Sequence, residues 1–145
     1  MTRPKPPRPQ TASVLVDTGV LVAVFNLLDA HHEAASSWMA ANRAPLLTVA
    51  PVLSEAAFFL PAHRRGALAG VVARGAIGVR QPDLPGYARV AYLFDKYADL
   101  NPDWADLELV WLAESTGFNR IATLDTDFNT YRIHGRKRFE LELLR

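Results

Sequence analysis

The sequence contains no cysteine, which excludes disulfide bonds, thiolate-bound zinc and a cysteine nucleophile. It also lacks an apolar run as long as a membrane span, and its basic start lacks the apolar segment of a secretory signal. Its 16 basic and 15 acidic residues leave a net charge of +1, so no bulk charge attracts a polyanion. These absences predict a cytoplasmic protein without membrane association, in which any polyanion is bound by locally placed charge.

The chain of 145 residues is long enough for one domain with its own hydrophobic core. Proline occupies four of the first nine positions, and the same stretch is basic. Such a composition favours an extended, disordered segment. We therefore expect residues 1–12 to form a disordered tail and residues 13–145 to form a single domain.

Short apolar blocks alternate along the chain with longer segments that have helical spacing. Strands are predicted at about 13–16, 46–49, 77–79, 121–124 and 138–144. Helices are predicted at about 18–28, 32–42, 51–60, 64–73, 87–98 and between Asp103 and Gly117. Strands that alternate with helices in this way predict an α/β sandwich around a mostly parallel sheet.

Acidic residues follow two of the predicted strands directly. Asp17 ends the first strand, and Asp125 and Asp127 follow the strand at 121–124. Ligands of parallel α/β sheets bind at the carboxyl ends of the strands, which is where these carboxylates fall. The alternative is structural, because Asp17 can cap the next helix and Asp is an ordinary turn residue.

Three further acidic residues lie in predicted helices. Glu55 is in a helix with little polar face, where a charge is rarely buried without a partner. Asp103 is suited to cap the helix that follows, which puts Asp106 at the third helical position. A capping box prefers the longer Glu or Gln there, so capping explains Asp103 better than Asp106. We therefore expect Asp103 to be structural and Asp106 to be functional.

If the strands pair as predicted, four carboxylates converge on one end of the sheet: Asp17, Glu55, Asp106 and Asp125. Carboxylates this close repel each other, and a divalent cation removes that repulsion. Oxygen donors without cysteine favour hard cations such as Mg²⁺ or Mn²⁺. A cation held in this way can activate water and stabilise the charge of an attacked phosphodiester. The chemistry predicted is hydrolysis of a phosphate ester.

Four segments, in this order, resemble the PIN-domain family, particularly the toxin nucleases of VapC type: "VLVDTGVLVAVF", "TVAPVLSEAAFFL", "PDWADLELVWLAE" and "RIATLDTDF". The resemblance implies a three-layer α/β/α sandwich and a ribonuclease that prefers single strands. It also implies a cognate antitoxin and a homodimer, and the apolar segments "LAGVV" and "VAYLF" are candidates for the dimer contact.

The same resemblance implies an acidic quartet that binds Mg²⁺ or Mn²⁺. The quartet corresponds to Asp17, Glu55, Asp106 and Asp125, with Asp127 as the alternative fourth acid and as the expected cap of the turn before Phe128. Thr18 and Thr123 match hydroxyl positions beside the metal. The chain departs from the family pattern at Leu107, where a small residue is usual.

A basic cluster follows the acidic strand end and consists of Arg132, Arg136, Lys137 and Arg138, with His134 among them. It is either a rim that binds RNA phosphates or an ordinary charged loop. His31 and His32 are expected to be surface or capping residues.

Other families with acidic strand ends fit less well. A phosphoacceptor receiver domain requires an acidic pair after the first strand, and a phosphatase of the haloacid type requires an Asp where Gly19 stands. A topoisomerase-primase module places its Glu at a strand end, whereas Glu55 lies inside a predicted helix. A PIN nuclease that is not a toxin and an inactive PIN scaffold both remain open as alternatives.

Overall fold

The computed structural model describes residues 3–4 and 12–143 of the chain. In them the strands are β1 (Val14–Val16), β2 (Leu46–Val49), β3 (Ile77–Arg80), β4 (Arg120–Thr123), β5 (Arg132–Ile133), β6 (Lys137–Arg138) and β7 (Glu140–Leu143). The α-helices are α1 (Thr18–Phe25), α2 (His32–Ala41), α3 (Ala50–Phe59), α4 (Ala62–Ala73), α5 (Leu84–Lys96) and α6 (Trp104–Thr116). The expected tail at residues 1–12 lies almost wholly outside the described residues and stays a prediction.

Five strands form one sheet in the order β3-β2-β1-β4-β7, and all four pairings are parallel. The central strand β1 is fully buried, with Leu15 paired to Leu47 on one side and to Ile121 on the other. The helices flank this sheet, as the three-layer α/β/α prediction requires. Because β1 and β4 are neighbours, the residues that follow them emerge side by side at the carboxyl edge.

Helix α1 is shorter than the apolar spacing predicts. It ends at Phe25, and Asn26 is its C-cap in extended conformation. The Asn26 side chain accepts a hydrogen bond from the Leu28 N–H at 3.1 Å, which forms a local turn instead of another helical turn. Leu28, which fits the helical period in the sequence, is 93% exposed as a result.

Helix α6 is buried on nearly all sides, with every residue from 105 to 110 buried. Its first residue is the exception, because the Trp104 ring is half-exposed and lies against Phe94 with ring centroids 5.7 Å apart. The apolar stripe predicted for this segment therefore describes only part of its contacts. Leu107 is fully buried in the core, so its departure from the family pattern affects packing in the core.

A β-hairpin occupies the basic segment, where the sequence predicts a loop that leads into a strand at 138. Strands β5 and β6 pair antiparallel, and the Arg136 N–H donates to the Ile133 carbonyl at 3.1 Å. The central turn residues His134 and Gly135 have φ of +52° and +70°, the left-handed conformation that tight hairpin turns require. The final strand β7 begins at Glu140, two residues later than expected, because Lys137 and Arg138 belong to the hairpin.

Candidate active site

Two carboxylates stand at the carboxyl edge of the sheet, after β1 and β4. Asp17 is the N-cap of α1, and its Oδ1 accepts from the Thr18 N–H at 2.8 Å. Its Oδ2 accepts from the Thr123 hydroxyl at 2.8 Å, and the Thr123 oxygen accepts in turn from the Asp125 N–H at 2.9 Å. The Thr123 side chain thus links Asp17, which follows β1, to Asp125, which follows β4.

The N-terminus of α6 supplies the third carboxylate. The exposed Asp103 caps the helix by accepting from the Asp106 N–H at 2.9 Å, as predicted. Asp106 itself is only 6% exposed, and its Oδ2 accepts from the hydroxyl of the fully buried Tyr131 at 3.3 Å. Capping by Asp103 therefore leaves the Asp106 side chain free to point into the site.

Asp17, Asp106 and Asp125 each offer an oxygen atom within 4.8 Å of the other two, close enough for one cation to contact all three. Glu55 faces the same cleft from α3 but lies outside this trio. Asp127 is also outside it, and its N–H donates to Asp125 Oδ1 at 2.9 Å. The expectation that Asp127 caps the turn before Phe128 is wrong, because Asp125 is the N-cap of that short 3₁₀ helix.

The trio lies in a cleft of about 500 Å³, and none of the described residues that line it is lysine or arginine. Carboxylates predominate in its lining: Asp17, Asp29, Glu55, Asp103, Asp106 and Asp125. Thr18 also lines the cleft, and its hydroxyl is buried without a hydrogen-bond partner in the described structure. This donor set of oxygens, uncompensated by protein cations, fits a hard divalent ion.

The pKa values of the carboxylates reflect the same absence of neighbouring positive charge. Burial raises the pKa of Asp17 to about 6, against the opposing effect of its hydrogen bonds from Thr123 and Thr18. Burial, followed by the charges of Asp103, Asp17 and Asp125, raises the pKa of Asp106 to about 8. Burial also raises the pKa of Glu55, with smaller contributions from Asp103 and Asp17. Such shifts indicate a site that gains stability when a cation neutralises it.

The sequence model of the PIN domain matches residues 14–133, which cover β1 to β5 and all of the cleft described above. The chain belongs to the PIN domain family. Among curated protein sequences, none matches it significantly.

Among solved structures, the chain is similar to VapC20 of Mycobacterium tuberculosis, a toxin that cleaves the sarcin–ricin loop. The TM-score is 0.75 at 18% sequence identity, and the superposition covers 81% of this chain and 93% of that chain. At this identity the similarity confirms the predicted PIN-like fold.

Several residues of the site were not singled out in the sequence. Tyr131 contacts Asp106 from 25 positions away, and Phe59 lines the cleft one helical turn after Glu55. His31, expected to be a surface or capping residue, is exposed on the cleft rim and makes no capping hydrogen bond. Helical spacing relates Phe59 to Glu55, whereas no local signal identifies Tyr131.

The basic cluster lies outside the cleft lining. The Arg132 guanidinium donates to the carbonyls of Asn129, Thr130 and Tyr131, so its hydrogen bonds stabilise the turn. Arg136, Lys137 and Arg138 are exposed, and the ion pairs found among the described residues do not include them. Phosphate binding by these three side chains stays a prediction.

Proposed function

We propose that this protein is a ribonuclease dependent on Mg²⁺ or Mn²⁺ that hydrolyses phosphodiester bonds of single-stranded RNA. The observation that carries the proposal is the trio of Asp17, Asp106 and Asp125, whose oxygens lie within 4.8 Å of one another in a cleft with no lysine or arginine among its described lining residues. Membership of the PIN domain family supports the same conclusion.

Asp17, Asp106 and Asp125 would hold the cation, with the unpartnered Thr18 hydroxyl beside them. When bound, the cation supplies positive charge that polarises the phosphodiester and makes water a better nucleophile. Asp17 is held in place by two donors, the Thr18 N–H and the Thr123 hydroxyl. The cluster is therefore arranged before substrate arrives, which is how positioning contributes to phosphoryl transfer.

Glu55 is suited to a different task from the trio. It lies on the α3 side of the cleft, is half-buried, and has no hydrogen-bond partner among the described residues. The raised pKa of Glu55 makes its carboxylate a stronger base than an ordinary glutamate, which suits it to accept a proton. We assign Glu55 the role of binding the attacking water and accepting its proton, either directly or through a second water.

The biological role that we propose is that of the toxin in a toxin–antitoxin pair, acting on RNA in the cytoplasm as a homodimer. The similarity in fold to VapC20, itself a toxin, supports this role. No helix in the described part of the chain is both long and apolar enough to cross a membrane. The cognate antitoxin would bind the toxin and is expected to be encoded by a neighbouring gene. Co-expression of that gene should relieve the toxicity of this protein in cells.

The direct test is cleavage of a mixed pool of single-stranded RNA by the purified protein. We expect cleavage with Mn²⁺ or Mg²⁺, none in excess EDTA, and recovery when the cation is restored. Fully paired RNA of the same sequence should be cut more slowly. Undiminished cleavage in EDTA would refute the role of the cation, and sedimentation of the same sample would test the homodimer.

A further inference from the structure

One helical turn along α1 and along α3, apolar side chains line the same cleft as the carboxylates. Val22 follows Thr18 by four residues on α1, and Phe59 follows Glu55 by four residues on α3. Both pairs therefore share a helix face, displaced by about 6 Å along the axis. Together with Leu124, which precedes Asp125, Val22 and Phe59 form what we call the apolar shelf of the cleft.

The Phe59 ring is 58% exposed although it lines the cleft, so a flat aromatic surface is open to whatever binds there. Its neighbour Phe58 is 76% exposed but does not line the cleft. The two rings contact each other edge to face, with centroids 5.2 Å apart. Helix α3 thus presents two exposed phenylalanines, of which one faces the carboxylates and the other faces away.

We propose that the apolar shelf is a subsite for an unpaired nucleobase, which stacks on Phe59 while the adjoining phosphate lies at the carboxylate trio. This inference rests on the proposed ribonuclease function and deepens it. Exposed aromatic rings bind single-stranded RNA because every base has a face that can stack, whereas the bases of a duplex already stack on each other.

The composition of the cleft favours a base over other occupants. No lysine or arginine is among the described residues that line it, and His31 is the one basic side chain among them. Within the cleft, the bound cation and apolar contact are then the main sources of substrate binding, and the shelf is the apolar surface that lines the cleft with the trio. The alternative occupant is an apolar segment of another protein. Such a segment could contact Phe58, which lies outside the cleft lining, as readily as Phe59.

The test compares Phe59→Leu with the matched control Phe58→Leu, because both remove an exposed ring from the same helix. The probes are a fluorescent ten-nucleotide oligoadenylate and a ribose-phosphate oligomer of equal length without bases. Affinities are measured by anisotropy in Ca²⁺, an oxygen-binding cation of the same class as Mg²⁺. A gel verifies that both probes remain intact.

We expect the parent to bind the oligoadenylate more tightly than the oligomer without bases. Phe59→Leu should reduce that preference by about 5- to 150-fold, the usual range for one stacked base. Affinity for the oligomer without bases should not change. Phe58→Leu should match the parent with both probes, and Phe59→Trp should restore the preference. In cleavage assays, Phe59→Leu should raise KM for RNA more than it lowers kcat.

Other outcomes overturn the inference. If the parent cleaves RNA but Phe59→Leu keeps the full preference for bases, the shelf is not a base subsite and the proposed function stands. The same holds if Phe59→Leu weakens both probes equally, or if it alters only the mass in sedimentation, as a protein-binding surface would. If the parent neither binds nor cleaves RNA, the proposed function fails together with the inference.

Discussion

Helix α6 carries a buried carboxylate near each end, and the two are stabilised in opposite ways. At the N-terminal end, Asp106 faces three other acidic groups and one tyrosine hydroxyl. Eight residues later, Glu114 accepts two hydrogen bonds from the Arg89 guanidinium, at 2.8 and 2.9 Å, and one from the His134 N–H at 2.6 Å. The two sites are about 12 Å apart along the helix.

The difference also appears in their protonation. Burial and neighbouring charges raise the pKa of Asp106 to about 8, whereas the donors around Glu114 overcome burial and lower the pKa of that group. Glu114 is a complete structural site, since it joins α5, α6 and the β5–β6 hairpin. Asp106 has no such positively charged donor among the described residues, as the proposed cation site requires, and this contrast distinguishes the two carboxylates more clearly than burial does.

The largest effect is expected for Asp106→Asn. The change should abolish binding of Mn²⁺ in calorimetry and reduce RNA cleavage by more than about 100-fold, since even outer-shell groups are worth about 10- to 100-fold. Without metal, the variant should be at least as stable as the parent, because the repulsion among carboxylates is relieved. Near-parental cleavage by this variant would refute the assignment of Asp106.

A pH series in EDTA should separate the two ends of α6. The raised pKa values of Asp17 and Asp106 mean that the folded state binds more protons than the unfolded chain from about pH 4 to 8. Stability should fall over that window by at least about 2 kcal/mol, since one pKa unit corresponds to about 1.36 kcal/mol. The lowered pKa of Glu114 has the opposite sign, so its contribution is present above its unfolded pKa and is lost on acidification.

Denaturant unfolding at each pH measures these slopes. Asp106→Asn should flatten the decline between pH 5 and 8, and saturating Mn²⁺ should suppress it in the parent, because a ligand that binds only the folded state stabilises it. An increase in the stability of the parent from pH 5 to 8 in EDTA would contradict the conclusion that the negative charge in the cleft is uncompensated.

Glu114→Gln should give the reverse of the Asp106→Asn pattern. It leaves the partly exposed Arg89 without its counter-ion and should lower the free energy of unfolding by about 2 kcal/mol, less than a fully buried pair would lose. Affinity for Mn²⁺ should not change. The double variant Glu114→Gln/Arg89→Met should recover part of the stability, and a loss of metal binding would disprove the separation of the two sites.

Tyr131→Phe should have a smaller effect, confined to the metal. The change removes the hydrogen bond to Asp106 but keeps the aromatic packing with Tyr97 and Phe128. We expect up to about a 10-fold loss of Mn²⁺ affinity and a cost in stability of at most about 1 kcal/mol. The matched control is Tyr97→Phe, whose hydroxyl accepts from the Arg132 N–H and contacts no carboxylate. Equal metal affinity in both variants would exclude a positioning role for Tyr131.

The smallest effect is expected from changing Arg136, Lys137 and Arg138 together to Gln. If all three contact phosphates, the slope of log affinity on log salt should decrease by about 2 for single-stranded RNA. Binding of Mn²⁺ and the melting temperature should be unchanged, because these side chains are exposed. Arg74→Gln, which alters an exposed arginine on another face, provides the control. An unchanged slope would make the hairpin an ordinary charged surface.

Local patterns in the sequence predicted most of the strands and helices. Strands β1, β2 and β4 and the helices that follow β1 and β2 begin where apolar period, proline and capping residues predict. The sequence did not predict the end of α1 or the β5–β6 hairpin. Each depends on a side-chain or backbone conformation that the spacing of apolar residues does not reveal. Asn26 forms a turn through its own side chain, and His134 adopts positive φ without the Asn or Asp usual in such turns.

For the site, the sequence by itself identified which carboxylates to consider, because Asp17 and Asp125 directly follow apolar strands that a parallel sheet brings to one edge. Only the tertiary structure distinguished Asp125 from Asp127 by position, because it brings an oxygen of Asp125, and none of Asp127, within 4.8 Å of oxygens of Asp17 and Asp106. It also brought Tyr131 to Asp106 and Phe59 to the cleft. Such contacts follow from strand order and helix packing between distant segments, on which local periodicity carries no information.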